Sequence, residues 1–281
     1  MVAKASHQQP EREFAFSDRD FRFLVELANK KTGIVLNEQK RDMVYSRISR
    51  RLRALGLTDF SQYCELLKTS EGDAELGNLV NAITTNLTHF FREKHHFEHL
   101  HKQVLMPLQA LGSRRLRIWS AGCSSGMEPY SIAMTVRHAL RNVDSWDVRI
   151  LATDIDTNML ATGARGEYVL DEYDNIPPAM REQVVCRTRE STMQMLDALK
   201  ALIAFKHLNL LEAWPIRGPF DAIFCRNVVI YFDKPTQAVL FNRMAELLEV
   251  GGWLYIGHSE NLTHVTDRFE LVGRTIYRKV R

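Results

Sequence analysis

Two periodicities divide this chain near residue 105. Before that point apolar positions recur every three or four residues, the spacing of a helix with one buried face. Phe21, Leu24, Val25 and Ala28 share such a face. Ser17 and Asp20 stand where a helix cap belongs, and Gly33 where the helix would stop. A second helix is predicted from Glu38 to Leu55, with Val44, Ile48 and Leu52 turned inward and Gly56 as its end. Shorter helices follow near Asp59 to Leu67 and Glu75 to Ile83.

From Leu116 the pattern alternates strand and helix. Strands are predicted at Leu116–Ser120, Val148–Thr153, Ile203–Leu208, Phe220–Arg226 and Gly252–Gly257, with a terminal hairpin over Phe269–Lys279 around Gly273. Helices are predicted at Met127–Leu140, Thr157–Ala164 and Lys234–Leu248. Such alternation implies a parallel sheet covered on both faces. Pro177-Pro178 breaks the rhythm, so residues 166–206 read as an inserted subdomain. The expected plan is a disordered tail (1–15), a helical domain (16–84), a linker (85–105) and an α/β domain (106–281).

Composition narrows the class. With 45% hydrophobic residues among 281, the chain has enough apolar material for a large core. A formal net charge of +3 is too small to demand nucleic acid or an anionic membrane. Cys64, Cys123, Cys186 and Cys225 form no CxxC pair, which points to a reduced, cytoplasmic protein without a disulfide framework. No apolar run reaches the roughly eighteen residues of a membrane span.

The chemistry gathers in loops. In Arg117-Ile-Trp-Ser-Ala-Gly-Cys-Ser-Ser-Gly-Met-Glu-Pro-Tyr-Ser131 a strand enters a small-residue turn and then a helix. Gly122 and Gly126 permit a tight turn and close approach to a ligand. Glu128 falls in the first helical turn, where a carboxylate is favoured. The glycines are four apart, so this is no dinucleotide GxGxxG, and an acidic side chain suits a cofactor with a cationic amino-acid end. Asp154 closes the second strand, placed to accept hydrogen bonds from ribose hydroxyls. Asn227 and Asn209 end later strands at the same edge, and Asn209 is placed to read an adenine. Each Asn also fits ordinary turn chemistry. Thr84-Thr-Asn-Leu-Thr-His-Phe-Phe-Arg-Glu93 lies in the linker. Histidines 89, 95, 96, 99 and 101 follow without cysteine or an HExxH pattern, so no metal site is expected. Lys40, Arg41, Arg47, Arg50, Arg51 and Arg53 crowd the second helix, a stripe suited to an acidic partner or to plain solvation.

Together TTNLTHFFRE, AGCSSGMEPYSIAM, TDID, FDAIFCRNVVIYFDK and GHSE resemble the chemotaxis receptor methyltransferase family, CheR, over nearly the whole chain from residue 16. The basic stretch KRDMVYSRISRRLRALGL is similar too. The resemblance implies a class I S-adenosylmethionine-dependent methyltransferase: a Rossmann-like, mostly parallel seven-stranded sheet, an all-helical N-terminal domain and a small inserted β-subdomain. It implies cofactor contacts from Asn86, Thr88, Arg92, Gly122, Glu128, Asp154, Asn209, Leu210, Asn227 and Val228. It places Arg92 and Tyr231 at methyl transfer, and the six basic residues of the second helix against acidic receptor helices. Methyl-accepting chemotaxis receptors would be the partners and S-adenosylhomocysteine the second product, with a monomeric enzyme and no membrane insertion.

Two departures stand out. Met127 replaces the first of two acidic residues found in many members, while Glu128 keeps the second. The inserted subdomain is short between Arg187 and Met193 and lacks a glycine turn, so docking of a receptor C-terminal pentapeptide is not expected. Two rival classes remain: a nucleic-acid methyltransferase, against which the absence of a (D/N)PP(Y/F/W) motif counts, and a non-enzymatic binding module.

Overall fold

The computed structural model describes residues 12–281. Residues 1–11 of the expected tail lie outside the described residues. The chain divides into two compact units, one running to Lys31 and including Val35–Ile83, the other Thr84–Arg281 with Thr32–Ile34.

The first unit holds helices α1 (Asp18–Thr32), α2 (Arg41–Leu55), α3 (Phe60–Leu66) and α4 (Gly72–Ile83). At the start of α1, Ser17 Oγ accepts from the Asp20 N–H and Asp20 Oδ2 accepts from the Ser17 N–H, which satisfies donors that the helix leaves unpaired. Gly56 closes α2 at φ 67°, a left-handed conformation suited to glycine. The predicted inward face is the observed one: Leu24, Val44, Ile48 and Leu52 are fully buried. The expected tail is corrected at its inner end. Phe14 is buried, Arg12 pairs with Asp42 at 2.7 Å and Glu13 with Arg53 at 2.6 Å.

The second unit begins with a helical run that the periodicity did not reveal. It consists of α5 (His95–His99), a π-helical segment (Leu100–Leu105) and α6 (Met106–Ala110). Strands and helices then alternate: β1 (Arg115–Ala121), α7 (Met127–Ala139), β2 (Asp147–Asp154) and α8 (Thr157–Arg165). The insertion contributes β3 (Glu167–Val169), β4 (Val184–Arg187), β5 (Thr192–Met195) and α9 (Asp197–Lys200). The chain ends with β6 (Ile203–His207), β7 (Phe220–Cys225), α10 (Lys234–Leu247), β8 (Leu248–Ile256), β9 (Phe269–Gly273) and β10 (Ile276–Lys279).

Seven strands form one sheet in the order β6-β2-β1-β7-β8-β10-β9. Its first five strands pair in parallel and β10 runs antiparallel to β8 and β9. Alternate residues of one strand feed opposite cores, as a sheet covered on both faces requires. Leu116 and Ile118 join the core of α7, while Trp119 and Ala121 join that of α10. The expected subdomain is a separate antiparallel sheet, β3-β5-β4, but the last residues assigned to it, from Ile203, belong to β6 of the main sheet. Its β4–β5 connection closes without glycine because Ser191 adopts φ 52°.

Candidate active site

The strand order reverses at β1, between the β2 and β7 sides, and open α/β sheets bind ligands beside such a point at the carboxyl ends of the strands. A cleft lies there. All ten positions expected to touch a cofactor line it: Asn86, Thr88, Arg92, Gly122, Glu128, Asp154, Asn209, Leu210, Asn227 and Val228. Tyr231 lines it as well.

The β1–α7 turn forms the floor. Gly122 and Cys123 donate to the Thr153 carbonyl at 2.8 and 2.9 Å, which ties the turn to the end of β2. Gly122 sits at φ 83°, and a Cβ there would overlap Val228. Glycine therefore lets the β7 loop close over the turn. Gly126 acts differently from expectation. It lies outside the cleft, and its missing Cβ makes room for Gly163, Tyr168 and Phe205.

Two carboxylates face the cleft, Asp154 buried and Glu128 with its side chain 11% exposed. Glu128 accepts from Ser120 Oγ at 2.7 Å and from Arg226 at 3.0 Å. Burial pushes its carboxyl above the ordinary range, against the pull of Arg226 and Ser120. Asp154 accepts from the Ser124 and Asp156 N–H groups at 2.7 and 2.9 Å. Burial raises it too, against those backbone donors. The donors fix the orientation of each carboxylate and leave lone pairs free for a ligand.

The linker closes the site from the other side. Asn86 and Thr84 both donate to Asp156 Oδ2 at 2.8 Å, while Asp156 Oδ1 caps α8. Arg92 lines the cleft and donates to the Leu87 carbonyl at 2.9 Å. Its own carbonyl accepts from Arg226, which joins the linker to Glu128. Asn209 is partly engaged in turn chemistry: Oδ1 accepts from the Leu211 N–H and Nδ2 donates to Glu212, each at 3.0 Å.

Arg226 and Glu260 received no role in the sequence reading. Arg226 is buried beside Glu128 at 3.0 Å and Glu93 at 3.6 Å, and its position in the polar pair ending an apolar strand was the available signal. Glu260 lies in the GHSE stretch, and its carboxylate meets the backbone of the loop after β7. The Cys123 and Cys225 thiols are pushed up by burial and offer no thiolate nucleophile.

The five histidines near the linker do not act together. His89 borders the cleft, whereas His96 is fully buried, its pKa lowered to about 2 by burial, with Arg226 and His95 adding to the effect. Glu93, His95 and His96 each bring a ligand-type atom within 4.8 Å of the others. The Arg226 guanidinium 3.6 Å from Glu93 makes that group hostile to a cation.

The six basic residues of α2 and the turn before it do not make one free face. Arg51 grips Glu75 with two hydrogen bonds of 2.8 Å, and Arg47 donates to the carbonyls of Ala82 and Ile83 at 3.3 and 2.8 Å. Arg41 pairs with Asp18 at 2.7 Å and Arg53 with Glu13. Among the described residues, the exposed side chains of Lys40 and Arg50 alone in this set have no partner. The expectation of a single solvent-facing stripe is corrected accordingly.

The parallel sheet, its switch-point cleft and the two carboxylates facing it define a class I methyltransferase that takes S-adenosylmethionine. The residues present fit that molecule: the Glu128 carboxylate, incompletely offset by Arg226, suits its ammonium group, Asp154 its ribose, and Asn209 with Leu210 its adenine. The chain belongs to the CheR methyltransferase family. The family's SAM-binding domain matches residues 86–278 and its all-alpha domain residues 19–84. The chain is 48% identical over 252 residues to a probable chemotaxis protein methyltransferase of Rhizobium etli, covering 88% of this chain and 94% of that protein. It is 44% identical to chemotaxis protein methyltransferase 2 of Pseudomonas aeruginosa, over 95% of each chain. It is 43% identical to the chemotaxis protein methyltransferase of Escherichia coli, over 96% of this chain and 93% of that one. No helix among the described residues is long and apolar enough to cross a membrane.

Proposed function

We propose that this enzyme converts glutamate side chains on the cytoplasmic helical domain of methyl-accepting chemotaxis receptors to methyl esters, acting as a cytoplasmic monomer. S-adenosylmethionine, when bound, supplies an electrophilic methyl group on a sulfonium, and S-adenosylhomocysteine is the product. The observation that carries the reading is the convergence of Arg92, Tyr231, Glu128 and Asp154 on one cleft.

The attacking group needs no base, because glutamate with a pKa of about 4.3 is ionised near neutrality. Rate enhancement comes chiefly from placement, with the carboxylate oxygen held about 3 Å from the methyl carbon. Arg92 orients that carboxylate by a charge-assisted hydrogen bond. A single bond to the Leu87 carbonyl leaves its other donors for this task. Tyr231 positions the substrate with its hydroxyl and ring. Glu128 and Asp154 hold the two ends of the cofactor, and Val228 covers the turn at Gly122.

Lys40 and Arg50 are the basic residues free to meet an acidic receptor helix. Arg47 and Arg51 support the helices that carry them. No docking of a receptor pentapeptide on the small sheet is proposed, although β4 forms one of its edges; micromolar binding in a pentapeptide titration overturns that part.

The test uses radiolabelled S-adenosylmethionine with receptor membranes. A base-labile label on the receptor band is expected, and Arg92→Ala should lower the saturated rate by about a hundredfold or more. Label on DNA or RNA instead, or Arg92→Ala turning over near the wild-type rate, contradicts the reading.

A further inference from the structure

The loop after β7 is held from an unusual direction. Residues 227–230 present four consecutive backbone N–H groups at the start of a 3₁₀ turn, Val229–Tyr231, where such donors have no partner within the turn. The Glu260 carboxylate accepts all four. Its Oε2 takes the Asn227 N–H at 3.0 Å, and its Oε1 takes those of Val228, Val229 and Ile230 at 3.0, 3.0 and 3.3 Å. A fifth donor, the Gly257 N–H, reaches Oε2 at 2.5 Å. Among the described residues no cationic side chain pairs with this carboxylate, and Glu260 is only 6% exposed. The charge is therefore balanced by peptide dipoles alone, as in an anion-binding nest of backbone N–H groups.

The same contact shapes the cleft. Asn227 is bent to φ 59°, a left-handed conformation that asparagine tolerates better than most non-glycine residues. Gly257 makes room for it, since a Cβ there would overlap the Asn227 side chain and come within 2.8 Å of its backbone nitrogen. Asn227, Val228 and Tyr231 all line the cleft, and Val228 closes over Gly122.

We infer that Glu260 is a positioning residue for methyl transfer: its carboxylate acts as a covalently attached anion that folds residues 227–231 into the wall of the cofactor site and sets Tyr231 above it. This rests on the reading of the cleft as the cofactor site. Every proton directed at Glu260 comes from the backbone, so an isosteric amide is the most informative change. In Glu260→Gln one oxygen becomes an NH₂ group, and it must face either the donors of Asn227 and Gly257 or those of Val228, Val229 and Ile230. Two or three buried N–H groups then lose their acceptor.

Two measurements on the full chain test this: calorimetric titration with S-adenosylhomocysteine, and steady-state rates with receptor fragment. Removing acceptors from buried donors is expected to weaken binding and lower kcat by about tenfold to a hundredfold each in Glu260→Gln. KM for the receptor should change little, and melting should stay cooperative. In Glu260→Ala, added formate should restore part of the binding, because the small carboxylate can occupy the vacated nest; it should do nothing for Glu260→Gln, whose side chain fills that space. Cooperatively folded Glu260→Gln protein with wild-type affinity and kcat overturns the inference. If Glu260→Gln does not fold, Glu260→Ala decides: formate-dependent binding supports the role, and formate-independent wild-type binding removes it. Wild-type protein that takes up no S-adenosylhomocysteine refutes the cofactor reading itself.

Discussion

Two glutamate–arginine pairs, one in each compact unit, show what separates a structural ion pair from a working one. In the helical unit Glu75 is saturated. Arg51 grips both oxygens at 2.8 Å, Tyr63 donates at 3.0 Å and Asn78 at 2.9 Å. Burial pulls its carboxyl upward, but the hydrogen bonds from Arg51, Asn78 and Tyr63 outweigh it and leave the pKa below the ordinary range. In the α/β unit Glu128 has one bond from Arg226 and one from Ser120, and there burial wins. Arg226 Nε and Glu93 Oε2 lack hydrogen-bond partners in the same network. A buried carboxylate left short of donors is costly to the apo fold and free to receive a cationic ligand.

The largest expected effect is on stability. Glu75→Ala strands Arg51, Tyr63 and Asn78 and should destabilise the helical unit by about 2–4 kcal/mol in denaturant melts, the lower end reflecting the partial exposure of Arg51. The sign with pH follows from the lowered pKa. The folded state holds Glu75 ionised more firmly than the unfolded chain does, so its stabilisation is present above the unfolded pKa and is lost as pH falls through the folded one. Glu75→Ala should therefore flatten the acid limb of the stability curve, and an unchanged acid limb would break the comparison. A smaller effect is expected at the surface. Arg50→Glu removes a charge with no intramolecular partner, so stability should shift by less than about 0.5 kcal/mol. KM for the receptor should rise several-fold and more steeply at low salt. Arg51→Glu should lose stability, and an equal loss with Arg50→Glu would erase the distinction between paired and free arginines.

The same contrast explains what the sequence made legible. Much of the fold was readable because its longer elements carry their own periodicity: Val44, Ile48 and Leu52 on a helix, and Ile118 and Trp119 feeding opposite cores. Gly122, Asp154, Asn209 and Asn227 were legible as one edge because they end or directly follow apolar strands, whereas Asn86, Thr88 and Arg92 lie in the linker, where only the family resemblance pointed to them. Pairing across sequence distance was hidden. Arg51 and Glu75 are 24 residues apart and nothing local links them, so the helix looked like one basic stripe. Glu260 was hidden for the same reason, since four of its five partners are backbone groups about thirty residues away. The helical run from His95 escaped notice because Pro107 and a π-helical segment blur its period. The β4–β5 connection reads as short and without a glycine turn, and it closes because Ser191 adopts the left-handed conformation at φ 52°.

The most direct measurement is calorimetric titration of S-adenosylhomocysteine into the wild-type protein and Glu128→Gln. The account predicts saturable one-to-one binding to the wild type. For Glu128→Gln it predicts affinity lower by about tenfold or more. Equal affinity in both proteins, or no uptake by either, would contradict it.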